Sequence, residues 1–343
     1  MSMTTVKKFY TIPPQCMGRF LILALFFGAT LNAHAGSSYC LEYRNLSAVI
    51  YDNHEGSKSY PDYSCDDFMP FDDLTGSVLS LAPHPVDSLV VWGQKAIPVV
   101  GSYQSTISQI TLGLDKSNPQ NVSANSVIYA HELGHAMFDS ILAEKIPLVG
   151  KMNSLRRLND QRLIQFGIPI GQISADCVPS TAACREKIDA IFEKIPAHLK
   201  DAEQNLSDFK IQYADEWSLI QKISSPYHEL FADVVTSLYF EDPDSNSRAI
   251  SLFVKTEESC RSFSKVLATD FKSNDPHCSL SSIRRQLWTQ LITPNIQNKR
   301  KVLQHIGEVF AEEVSIQLKN KQDPDYLNST PLLMRLSRAL GMK

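Results

Sequence analysis

Residues 126–142 read SVIYAHELGHAMFDSIL, and the reading of this stretch decides the fold. It predicts a helix that Ser123 or Asn125 can cap and that Pro147 and Gly150 close. At 3.6 residues per turn His131 and His135 stand one above the other on one face, so both imidazoles reach a single ion at roughly 2.0–2.1 Å. Glu132 is turned about 100° around the same helix, near enough to touch a water at that ion without ligating it. Five residues thus offer two ligands and a base. The pattern His-Glu-x-x-His takes its meaning from this helical context.

A second stretch, residues 225–240, reads SPYHELFADVVTSLYF. Ser225 fits an N-cap and Pro226 the first helical position, so Glu229 and Asp233 fall one turn apart on one face of a new helix. A catalytic zinc takes three protein ligands and keeps one open position, with a carboxylate behind a ligating histidine to fix its tautomer. Glu229 is read as the third ligand and Asp233 as the carboxylate that orients a histidine. His228 is a rival ligand, but adjacent helical residues point about 100° apart, and only Glu229 has an acid one turn on. Asp139, one turn after His135, is read as a solvated acid on the helix face.

Together the two stretches resemble the gluzincin zinc metallopeptidases, the thermolysin-like class with His-Glu-x-x-His on one helix and Glu-x-x-x-Asp on the next. The resembling residues are His131, Glu132 and His135, then Glu229 and Asp233. The metzincin pattern asks for a Gly and a His where this chain has Phe138 and Ile141. The resemblance implies a zincin-like α+β fold and a Zn2+ held by His131, His135 and Glu229, with Glu132 as general base. It also implies a His or Tyr that donates to the developing oxyanion, for which Tyr227, Tyr239, His277 and His305 are the candidates. Glu229 lies 94 residues beyond His135, so the helical residues between them form an insertion or a cap over the cleft.

The rest of the chain sets the context. Of its 343 residues 43% are hydrophobic and 20% charged, an ordinary globular composition. Residues 1–35 read as a secretory signal, with Lys7, Lys8 and Arg19 before the apolar run 20–31 and Ala33-His34-Ala35 as the cleavage site. The remainder carries 30 basic and 37 acidic residues, which argues against nucleic acid as the partner. No later segment is apolar over a membrane's thickness, so no integral membrane segment is expected after cleavage. Six cysteines remain, and proximity favours Cys40–Cys65, Cys177–Cys184 and Cys260–Cys278. The location is expected to be secreted or periplasmic.

Short β-type runs at 47–51, 76–81, 88–92 and 106–112 predict a small N-terminal mixed sheet. Helical periodicity follows at 153–166, 182–194, 198–221, 226–240, 247–270, 280–292, 297–319 and 330–341. The expected organisation is an α+β part at 36–150 with the active-site helix, a helical insertion or cap at 151–223, and a helical part at 224–343 that carries the third ligand. If 106–112 is the edge strand, an extended peptide or protein substrate could pair with it. The sequence thus points to an exported zinc-dependent peptidase. A zinc hydrolase of a cell-wall or other non-protein amide and a non-catalytic zinc-binding protein are the alternatives, and the intact Glu132 favours catalysis.

Overall fold

The computed structural model describes residues 37–40, 43–52, 64–86, 89–95, 101–104, 109–114, 119–170, 173, 181–253, 259–265, 275–320 and 330–339. The leader expected at 1–35 lies outside them. The described chain is α+β, with a small mixed sheet and a larger helical part. Strand β1 (Ser37–Cys40) pairs antiparallel with β2 (Ala48–Asp52), and β2 runs parallel to β3 (Val90–Lys95). Strand β5 (Gln109–Leu114) lies parallel to β3, and β4 (Gly101–Gln104) closes the order β1-β2-β3-β5-β4 antiparallel on β5. The expectation of an edge strand at 106–112 is therefore corrected: β5 is interior, and β4 forms the edge among the described strands. Residues 105–108 lie outside the described set.

The run 76–81 is not a strand. It ends helix α1 (Met69–Leu79), which buries Phe71, Thr75 and Val78 at helical spacing, Phe71 and Thr75 against Tyr129. The Asp72 carboxylate accepts the backbone N–H groups of Arg44, Asn45 and Leu46 at 3.2, 2.7 and 2.9 Å, and so docks α1 on the loop before β2. These tertiary bonds, with Gly76 packed against the Asn45 side chain, override the local strand propensity.

Helix α2 (Pro119–Lys145) starts earlier than the caps proposed at Ser123 and Asn125; Asn125 is buried inside it. Ile146 breaks the chain, and Pro147 opens α3 (Pro147–Arg162) rather than simply closing α2. Helices α4 (Ala182–Glu193), α5 (Ala197–Lys200) and α6 (Ala202–Gln212) follow. Helix α7 (Ala214–Phe240) runs continuously through Pro226, so Ser225 is not an N-cap. Pro226 has no N–H to give to the preceding turn, but Ile220, Ile223, Tyr227 and Leu230 are all buried, and that packing carries the helix past it. Helix α8 (Ser245–Phe253) covers only the start of the expected run 247–270. Residues 262–265 are irregular because Ser262 and Ser264 donate to the Asp244 carboxylate instead of continuing a helix. Helices α9 (Ser281–Gln286), α10 (Lys299–Asn320) and α11 (Thr330–Ala339) complete the chain.

The main core joins sheet and helices. Val49, Val91, Ile110 and Leu112 of the sheet meet Tyr129, Leu133 and Met137 of α2, and the other side of α2 packs on Phe231 and Val235 of α7 and Phe310 of α10. Cys40–Cys65 and Cys260–Cys278 are bridged as expected. Cys184 is also disulfide-bonded, and its expected partner Cys177 lies outside the described residues. Among the described residues no helix is long and apolar enough to cross a membrane.

The α2–α7 contact is tightest at Gly134, where an added Cβ would stand 2.6 Å from Ala232 Cα. The obstacle is backbone, which cannot rotate away. Gly134→Ala is therefore expected to destabilise the fold by about 1–3 kcal/mol, read as a lowered urea midpoint; an unchanged midpoint would show that the two helices are free to part.

Candidate metal centre

Helices α2 and α7 cross at Gly134 and Ala232, and this crossing brings the two sequence stretches face to face. His131 and His135 project from α2 and Glu229 from α7, with one ligand atom of each lying within 4.8 Å of the others. His131 Nε2 is 3.2 Å from Glu229 Oε2, and His135 Nε2 is 3.6 Å from Glu229 Oε1. Two neutral-capable imidazoles and a carboxylate suit a divalent cation, and the triad could hold one. A further observation fits: Glu229 Oε2 is buried yet makes no hydrogen bond of acceptable geometry, although nitrogens of His131, Arg261 and His277 lie within 3.7 Å of it. A buried acceptor left in that state is what a cation satisfies.

Asp233 stands behind His131, with Oδ1 3.0 Å from His131 Nδ1. It does more than the sequence suggested. Asn246 Nδ2 and Arg261 Nη2 donate to Oδ1, each at 2.6 Å, and Arg284 Nη1 lies 2.5 Å from Oδ2. Burial opposes the Asp233 charge, but Arg261, Arg284 and His131 outweigh it and hold the carboxyl well below its usual range. Burial likewise opposes ionisation of Glu229, and His135, His131 and Arg261 pull its carboxyl down. Burial and Arg261 disfavour a proton on His131, yet the facing carboxylates of Asp233 and Glu229 raise its pKa to about 9. Burial keeps His135 well below its usual value.

Glu132 is buried on the same cavity, against the edge of the sheet. An added Cβ at Gly101 of β4 would stand 2.6 Å from Glu132 Cγ, so only a glycine leaves room for this carboxylate. The backbone N–H of Tyr103 donates to it, while desolvation dominates and raises its pKa to about 7. The cavity has a volume of about 370 Å³ and is lined by Gly101, Ser102 and Tyr103 of β4 as well as by the helices.

Of the expected oxyanion donors only His277 lines the cavity, with Nε2 3.4 Å from Glu229 Oε2 and Nδ1 2.7 Å from Asp275 Oδ1. Tyr227 instead meets Gln317 at 2.8 Å, and neither Tyr239 nor His305 is among the cavity residues. His228 turns toward Asp139, at 3.4 Å, while still lining the cavity. The reading of Asp139 as a solvated acid is overturned: it is 4% exposed and faces Arg156 and His228. Arg261, Arg284, Asn246 and Tyr103 carry no motif and were not singled out from the sequence. The disulfide spacing was the one available pointer to Arg261, which follows Cys260.

Two outcomes follow from these environments. Asp233→Ala strands the fully buried Arg284 without its carboxylate, a loss of about 3–5 kcal/mol measurable by denaturant unfolding; a variant as stable as the parent would mean that Arg284 finds another partner. For Glu132 the sign is opposite. Its folded pKa, about 7, lies above the ordinary value of 4.5, so the fold binds the extra proton and loses stability as pH rises between those values. In chelator, Glu132→Gln should match the parent near pH 4 and exceed it at pH 8, by at most on the order of 3 kcal/mol. Equal melting curves at pH 8 would contradict the raised pKa. Compared with family models, characterised proteins and solved structures, the chain matches none, so its chemistry rests on these residues.

Proposed function

We propose that the protein is an exported zinc-dependent peptidase of gluzincin type. The observation that carries this reading is the convergence of His131, His135 and Glu229 within 4.8 Å, with the buried Glu132 beside them on a cavity that reaches the sheet edge. A zinc ion held by this triad supplies Lewis acidity, polarising a scissile carbonyl and making water acidic enough to deprotonate near neutral pH.

The chain's own residues do the rest. Glu132 takes a proton from the attacking water and returns it to the leaving amine, a task suited to a carboxyl whose burial lifts it to about 7. His277, with Nδ1 2.7 Å from Asp275 Oδ1, is placed to present its Nε2 to the oxygen on which negative charge develops. Asp233 fixes the orientation of His131. Strand β4, at the sheet edge and on the cavity, supports pairing with an extended peptide, in place of the run 106–112 considered first. The two described disulfides and the disulfide-bonded Cys184 support export into an oxidising compartment.

The test is cleavage of a mixed peptide library by the chain produced in an oxidising compartment and loaded with zinc. Cleavage should vanish with chelator and in Glu132→Gln while zinc remains bound to that variant. Glu229→Ala should weaken zinc by more than the roughly 10–100-fold that loss of a supporting partner costs. Zinc-loaded protein that cuts no peptide would turn the reading to a non-protein amide.

A further inference from the structure

The Cys260–Cys278 bridge joins two residues that each adjoin a residue of the site. Arg261 follows Cys260, and His277 precedes Cys278. Their side chains converge on the same acids. Arg261 Nη2 is 2.6 Å from Asp233 Oδ1 and 3.7 Å from Glu229 Oε2, and His277 Nε2 is 3.4 Å from that same Oε2.

Neither residue stands on a helix of the triad. Arg261 ends a single turn of 3-10 helix (Ser259–Arg261), and His277 lies in the turn at 276–280. These segments have other ties as well: Ser262 and Ser264 donate to the Asp244 carboxylate, the buried Phe263 packs against Trp288 with its N–H donating to the Pro243 carbonyl at 3.1 Å, and Arg284 Nη2 donates to the His277 carbonyl at 3.1 Å. His131, Glu132, His135, Glu229 and Asp233 all come from α2 and α7, whose packing the bridge does not enter.

We propose that the Cys260–Cys278 disulfide is a positioning device: it pins Arg261 and His277 over Glu229 and Asp233, while the helices alone build the metal-ligand triad. The site is then complete only once the bridge has closed. Closure takes two electrons and two protons from the thiol pair, and a disulfide-exchange donor receives them as its own two thiols. In a reducing compartment the chain binds its metal and lacks the pinned donor. This inference rests on the metal-centre reading.

The experiment uses the full chain loaded with Co2+, whose visible spectrum reports both the ion and acetohydroxamate bound at it, so no peptidase activity is needed. The Cys260→Ser/Cys278→Ser double variant should keep its Co2+ affinity within about threefold of the parent and bind acetohydroxamate about tenfold or more weaker, the size of one charge-assisted hydrogen bond. His277→Ala alone should show the same loss, and adding it to the double variant should cost nothing further. Cys40→Ser/Cys65→Ser, which removes a bridge away from the cavity, should bind acetohydroxamate like the parent. Should the double variant fold poorly, parent chain reduced by a water-soluble phosphine gives the same comparison. Parent-like acetohydroxamate binding without the bridge overturns the proposal. So does loss of Co2+ as severe as in Glu229→Ala, which would mean that the bridge holds the triad. A parent chain that takes up no Co2+ overturns the metal-centre reading itself, and the two failures are thereby told apart.

Discussion

The site depends on how closely the backbones of α2 and α7 approach at Gly134 and Ala232. Helix axes usually pack about 8–10 Å apart, set by the side chains between them. A glycine facing an alanine removes most of that spacer. The contact point then sorts the neighbouring residues by helical geometry. His131 and His135 stand three before and one after Gly134, and Glu229 and Asp233 stand three before and one after Ala232. Each helix therefore presents a pair of polar groups around its own small residue, and the crossing makes the pairs meet. The variable positions of the motif are thus set by packing, Leu133 into the sheet core and Gly134 against the partner helix.

A crossing this tight buries charge, and the structure balances it around Asp233. Two arginines and an asparagine converge on one carboxylate, which in turn faces His131. Buried ions are costly when unpaired and roughly break even when fully bonded. The Asp233 group is rigid because most of its bonding capacity is used. Glu229 is its opposite: close to His131, His135, Arg261 and His277, but with an oxygen that no donor satisfies. The contrast between a saturated carboxylate and an unsaturated one, a single turn apart on α7, separates the group that orients from the group that would ligate.

Much of this was legible in the sequence, for identifiable reasons. His131, Glu132, His135, Glu229 and Asp233 come together in the structure because helical spacing is a local property, and spacing alone places i and i+4 on one face. The helix starts were misread because they are decided at a distance. Pro226 and Ser225 imitate a helix start, yet the buried face on both sides of Pro226 carries α7 through. The run 76–81 looks extended by itself, and only the pairing of Asp72 with the 44–46 loop reveals a helix. Asp139 reads as a surface acid until α3, the next helix, folds back and brings Arg156 to it. Arg261 and Arg284 were invisible because nothing local marks an arginine whose partner is 28 or 51 residues away.

Glu132 is the residue that a purely structural account explains least. A buried network of acids and arginines could be kept for the sake of the helix crossing, and it would need Asp233 but not Glu132. Burying a carboxyl until its pKa approaches 7 weakens the fold at neutral pH, where an apolar residue at the same place would not. The sheet also gives up a side chain to accommodate it, since Gly101 leaves the only room for Glu132 Cγ at the edge strand. Glycine in a strand carries its own entropic penalty. Two unfavourable features are therefore held side by side, at the point where the ligand triad, the edge strand and the cross-linked His277 share one cavity. Carboxyls perturbed in this way cluster where a group exchanges a proton, and that supports the role proposed for Glu132.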